Sequence, residues 1–100
     1  MTRNGRVARL ERFVVLAAVR EANNEKDRVR LGVTASRQVG NAITRNRVKR
    51  RIREWFRHQR PQMNPKLDIV VIARRTAADI SQCETIQVLN KGIRAVEAMV

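Results

Sequence analysis

Between residues 29 and 73 the apolar side chains change their spacing twice, and this limits the folds open to the chain. In residues 29–36, VRLGVTAS, Val29, Leu31, Val33 and Ala35 fall on one side and Arg30, Gly32, Thr34 and Ser36 on the other. A period of two is that of a half-buried strand. Gly32, on the polar side, leaves that face open to close approach by a ligand. From Asn41 to Gln59 the apolar positions Val48, Ile52, Trp55 and Phe56 recur at helical spacing. Pro61 and Pro65 end that helix. Residues 67–73, LDIVVIA, form a short apolar run rich in β-branched residues, which reads as a buried strand. Strand, helix and buried strand in this order predict a β–α–β unit with parallel pairing.

The flanks add less regular signals. Residues 12–19, RFVVLAAV, read as a strand, and the polar stretch 21–28, EANNEKDR, as a turn. Together with residues 29–36 they suggest an antiparallel hairpin with a long loop. Residues 1–10, with Arg3, Arg6 and Arg9 around Gly5, are expected to be flexible. Ser81 followed three residues later by Glu84 marks the start of a last helix, whose seam is Ile86, Leu89, Ile93 and Val96. Gly92 weakens that helix without breaking it. A length of 100 residues with no repeat or linker predicts one domain over 1–100.

Charge points to a partner. There are 22 Lys and Arg against 9 Asp and Glu, a net +13, and Arg outnumbers Lys 18 to 4. Arg forms bidentate contacts with phosphate and stacks on bases. The partner is therefore read as a polyanion, with nucleic acid ahead of an anionic membrane surface. The strongly apolar run Ile69 to Ala73 is far too short to span a bilayer, and no signal peptide is read at the N-terminus. A single cysteine, Cys83, fits a reducing cytoplasm. It reads as a small half-buried side chain, not a reactive thiol.

The charge is concentrated. The stretch RNRVKRRIR, residues 45–53, has six basic side chains in nine positions. On a helix turning about 100° per residue, Val48, Ile52, Trp55 and Phe56 form one core-facing stripe. Asn46, Lys49, Arg50, Arg53 and Arg57 fall together on one flank of it. Arg47, Arg51 and His58 share the more solvated side with Glu54. From Arg37 through Arg60, nine Lys and Arg stand against one acid, Glu54, so the helix cannot be a face held by internal ion pairs. Phosphate contact would relieve the repulsion and release counterions. Charge alone does not separate RNA from DNA. Trp55 and Phe56 read as core, not as base-stacking groups. No catalytic constellation is visible: the acids are scattered, His58 lies on the solvated side of a basic helix, and there is no phosphate-binding glycine loop.

The stretch VGNAITRNRVKRRIRE, Val39 to Glu54, closely resembles the signature of the bacterial ribonuclease P protein subunit. The matching positions are Ala42, Arg45, Asn46, Arg47, Val48, Lys49, Arg50, Ile52 and Arg53. RLGVTASRQVG and LDIVVIARRTA resemble the third and fourth strands of that family, and the likeness runs over about residues 11–97. The resemblance implies a small α/β (α+β) two-layer sandwich with a mixed four-stranded sheet, a left-handed β–α–β crossover and helices packed on the sheet. It implies a subunit of an endoribonuclease whose RNA performs phosphodiester hydrolysis with Mg²⁺. The protein would bind ribonuclease P RNA and the 5′ leader of precursor tRNA, the leader in a cleft between the sheet and a helix, without a membrane or an obligate protein partner. RNA contacts are expected from Arg45, Asn46, Lys49, Arg50 and Arg53, extended by Arg37, Asn41 and Arg57. No catalytic residue is expected in the polypeptide. The family's opening helix is expected to be missing here, and Leu16 stands where an aromatic residue is common. The readings left beside this one are a general RNA-binding module of ribosomal-protein-like fold and a protein-only nuclease, against which the scattered acids speak.

Overall fold

Among the residues described, 5–19, 29–63 and 67–99 of the computed structural model, four strands and two α-helices follow one another. They are β1 (Arg6–Arg9), β2 (Phe13–Val19), β3 (Arg30–Ala35), α1 (Ala42–Gln59), β4 (Leu67–Ala73) and α2 (Gln82–Met99). Short 3-10 turns follow α1 at Arg60–Gln62 and β4 at Arg75–Ala77.

The strands form one mixed sheet in the order β1-β2-β4-β3. The β3–α1–β4 unit is parallel as expected, with Leu31 opposite Ile69 and Val33 opposite Val71. The expected hairpin between residues 12–19 and 29–36 is not formed. β4 lies between them, antiparallel to β2, with Val15 opposite Val71. Spacing explains this: the strand with apolar residues on both sides takes the interior place, and the alternating strand, with Arg30 and Thr34, takes an edge. Residues 6–9, expected to be flexible, are the other edge strand. They pair with β2 through a tight turn in which Leu10 N–H donates to the Phe13 carbonyl at 2.8 Å. Four residues that include two arginines carry little strand signal, yet an edge strand tolerates charge because one of its sides faces water.

Both helices lie on one face of the sheet. Phe13, Val15 and Ala17 of β2 and Leu67, Ile69, Val71 and Ala73 of β4 are buried there against Val48, Ile52 and Trp55 of α1 and Leu89, Ile93 and Val96 of α2. α1 packs on β3, and α2 on β1 and β2. The run LDIVVIA is buried only at alternate positions, and Val70 on the opposite face is 38% exposed, because no described element covers that face.

The helix ends follow local chemistry. Asn41 caps α1 by accepting a hydrogen bond from Thr44 N–H at 2.9 Å, and Ser81 caps α2 by accepting one from Glu84 N–H at 3.1 Å. The seam of α2 runs as expected, with Ile86 half-buried. Cys83 is exposed, not half-buried, because it lies off that seam in the first turn. Gly92 is buried where α2 crosses β2: a Cβ there would lie 2.8 Å from Leu10 Cδ1 and 3.0 Å from Val15 Cγ2. The glycine that weakens the helix therefore lets it approach the sheet closely.

Gly40, just before the cap, has φ +151°, and a Cβ there would lie 2.9 Å from Thr44 Cβ. Gly32 lies on the open face, where a Cβ would meet Val70 Cγ2 at an ordinary 3.5 Å. Gly40→Ala is therefore expected to lower unfolding free energy by about 1–3 kcal/mol. Gly32→Ala should change it by less than about 0.5 kcal/mol. Urea titration monitored by Trp55 fluorescence checks both.

Candidate nucleic-acid interface

The cationic flank of α1 exists because the helix is fixed on its other side. Val48, Ile52 and Trp55 are buried against the sheet, so the flank carrying Asn46, Lys49, Arg50, Arg53 and Arg57 turns outward. Three hydrogen bonds tie α1 to α2 and its entry. Arg51 Nη1 donates to the Ile80 carbonyl at 2.7 Å, Gln82 Nε2 to the Arg51 carbonyl at 3.2 Å, and Trp55 Nε1 to Asn90 Oδ1 at 2.8 Å. These bonds fix the rotation of the helix about its axis. Arg51, expected on the solvated side, is thus half-buried, because it reaches the carbonyl that precedes the α2 cap.

The structure brings most of the expected residues onto one surface. Asn46, Arg50, Arg53 and Arg57 are exposed and Lys49 is half-buried. Arg45 is also half-buried, and its Nε is buried without a hydrogen-bond partner. Asn41 is exposed, but its Oδ1 is occupied by the cap, which leaves its amide nitrogen for an outside partner. Arg37 is exposed in the turn that leads into α1, where Val39 N–H and Gly40 N–H donate to the Ser36 and Arg37 carbonyls.

The electrostatics are one-sided. Among the described residues no carboxylate lies within ion-pair distance of Arg45, Lys49, Arg50 or Arg53, and the first turn of α1 has no acid. The positive end of the helix dipole adds to this field. Only Arg57 is compensated: its Nη2 lies 2.6 Å from Glu54 Oε1, and His58 Nε2 lies 3.2 Å from the same oxygen. The hydrogen bond from Arg57 holds the Glu54 carboxyl below its usual pKa, with a smaller part from His58, and raises that of Arg57 in turn. A depressed carboxyl keeps this cluster intact at neutral pH and loses it as pH falls through the lowered pKa. All three side chains are well exposed, so the cluster adjusts local charge more than it stabilises the fold.

Sequence reasoning passed over two features. Ile43 is 75% exposed in the first turn of α1, where Asn46 and Arg50 follow it at three and seven residues on the same flank. Its position off the apolar stripe was the available signal. Arg74 and Arg75 are exposed just after β4, where Arg74 N–H donates to the Arg12 carbonyl at 2.9 Å and ties them to the entry of β2. Nothing in the spacing announced that neighbourhood, because it depends on the antiparallel pairing of β2 with β4. Among the described residues no three His, Cys, Asp or Glu side chains gather as a metal site. Among the described residues no helix is long and apolar enough to cross a membrane.

A second surface lies on the uncovered face of the sheet. Val7, Val14, Leu16, Val70 and Ile72 form its apolar centre, and Gly32 and Thr34 continue it onto β3. Arg9 and Arg30 stand at its edges, Arg30 with Asp68 at 3.8 Å.

Comparison with known proteins agrees with this arrangement. A family model described as ribonuclease P matches residues 1–97. The ribonuclease P protein component of Desulfosudis oleivorans is 48% identical over 61 residues, which are 61% of this chain and 50% of that protein. The one from Desulforapulum autotrophicum is 35% identical over 91 residues, 91% of this chain and 74% of that protein. Among solved structures, the Staphylococcus aureus RNase P protein superposes with a TM-score of 0.79 at 34% identity, covering 91% of this chain and 80% of that one. The motif on α1, the sheet order and these likenesses agree, and the chain belongs to the ribonuclease P protein family.

Proposed function

We propose that this chain is the protein subunit of ribonuclease P, acting in the cytoplasm on the maturation of precursor tRNA. The observation that carries the reading is the uncompensated strip Arg45, Lys49, Arg50 and Arg53, held at fixed rotation by the core and by the α1–α2 hydrogen bonds. A rigid row of cations suits a folded RNA, whose phosphates lie at set spacings, better than it suits a flexible polyanion. Asn46 lies inside the strip and offers a donor and an acceptor for one defined contact. Arg37 and the exposed Asn41 amide extend the contact toward the entry of α1, and Arg57 extends it toward the far end.

The uncovered sheet face serves the second task, holding the 5′ leader. Its apolar centre around Leu16 and Val70 suits the faces of unpaired bases, and the missing side chain at Gly32 lets the strand approach the backbone. Arg9 and Arg30 flank this path for phosphate. Hydrolysis belongs to the RNA, which holds the Mg²⁺. The protein contributes positioning and charge neutralisation, and it lowers the Mg²⁺ concentration that the RNA requires.

Precursor-tRNA cleavage at low Mg²⁺, with ribonuclease P RNA alone, protein alone and both together, tests the reading. A rise in rate or substrate affinity with both, and no cleavage by protein alone, is expected. Tight RNA binding with no effect on cleavage would instead support a general RNA-binding module. Arg50→Glu with Arg53→Glu should weaken RNA binding at least about tenfold and lower the salt slope by about one per residue removed. Thermal unfolding should be nearly unchanged, because both side chains lie off the core. Glu54→Gln, which removes the one acid of α1 and frees Arg57, should raise RNA affinity roughly two- to threefold at low salt. Filter binding across a salt series measures both effects.

A further inference from the structure

α2 runs past the point where α1 stops. α1 ends at Gln59, and the 3-10 turn Arg60–Gln62 carries the chain away. The last turns of α2 therefore face an opening in place of a helix. Asn90, Ile93, Arg94 and Glu97, at three- and four-residue spacing on one side of α2, form one wall, and Gln59 and Gln62 the other. The cavity between them is about 380 Å³, within the range of small-ligand sites. Its apolar lining is Met63 and Ile93, both more than nine-tenths buried.

The polar groups around it have a defined sense. The Trp55 indole N–H can only donate, so its 2.8 Å bond to Asn90 fixes the amide with its oxygen toward the indole. The Asn90 NH₂ is then the group left for the cavity. Gln59 and Gln62 add two further amides, each able to donate and accept. The charges at the rim, Arg94 and Glu97, are of opposite sign. Such a site is poorly suited to a phosphate group, which needs a net positive pocket, and poorly suited to a purely apolar molecule. It suits a flat heterocycle with donors and acceptors on its edge, for which carboxamides are the matched readers.

We propose that this cavity takes an unpaired purine base of bound RNA, with the Asn90, Gln59 and Gln62 amides on its edge and Met63 and Ile93 against its face. This rests on the RNA-binding reading above and gives it a base-specific contact away from the cationic strip. The base arrives as part of a strand already held by phosphate contacts, because Arg94 is the one cation among the described lining residues, too little to hold a free nucleotide.

Titration of the ¹⁵N-labelled chain with oligoadenylate, oligouridylate and adenosine monophosphate, followed by NMR, tests the proposal. Oligoadenylate is expected to move the Trp55 indole and Asn90 amide signals, and oligouridylate to leave them in place. Gln62→Ala, at an exposed position outside the core, should weaken oligoadenylate binding about tenfold and leave oligouridylate binding unchanged. If both oligomers move only the Arg50 and Arg53 signals, the strip binds RNA and the cavity proposal fails alone. If neither the strip nor the cavity responds to any RNA, the RNA-binding reading fails with it. Saturation by adenosine monophosphate as readily as by oligoadenylate would mark a free-nucleotide site and overturn the assignment to an RNA strand.

Discussion

The placement of β4 between β2 and β3 is the constraint on which the rest depends. Both of its edges are hydrogen-bonded, antiparallel on one side and parallel on the other. Its inward residues Leu67, Ile69 and Val71 are almost fully buried, each contributing about 1.5–3 kcal/mol by leaving water. A parallel partner cannot be reached by a tight turn, so the chain must cross over one face of the sheet to join β3 to β4. α1 is that crossover. It must lie on the sheet, and its apolar stripe then dictates which flank faces out.

From this follow two surfaces of different character. The helical layer presents a cationic strip whose position is set by buried neighbours and by the Arg51, Gln82 and Trp55 hydrogen bonds. The opposite face of the sheet stays uncovered by any described element and presents an apolar centre with basic edges. A protein with few carboxylates near its cations is under internal repulsion, and contact with a polyanion relieves it. Glu54 is the exception on α1, and it neutralises the end of the strip farthest from the cap.

Much of this was legible because it is local. The periods of two and 3.6 gave β3 and α1, the continuous apolar run gave β4, and the angular grouping of Asn46, Lys49, Arg50 and Arg53 gave the outward flank. The Asn41 and Ser81 caps rest on hydrogen bonds reaching three residues ahead. What escaped was non-local. The expected hairpin failed because adjacency in sequence is a weak guide when a later, more apolar strand competes for the same edge. β1 was missed because four residues with two arginines become a strand only when β2 supplies the partner. Arg51 is drawn inward by a carbonyl 29 residues away, and no spacing rule reveals that.

The sequence by itself determined the composition of each surface: where the positive charge is concentrated and which side of the crossover helix is apolar. These properties depend on residues within a few turns of one another. The tertiary structure alone decided the strand order, the contact of Arg74 with Arg12, the close crossing of α2 at Gly92 and the cavity beyond the end of α1. Each of those depends on which distant segment wins a shared neighbour. That contest is settled by total burial and hydrogen bonding across the whole core, which no single stretch of sequence contains.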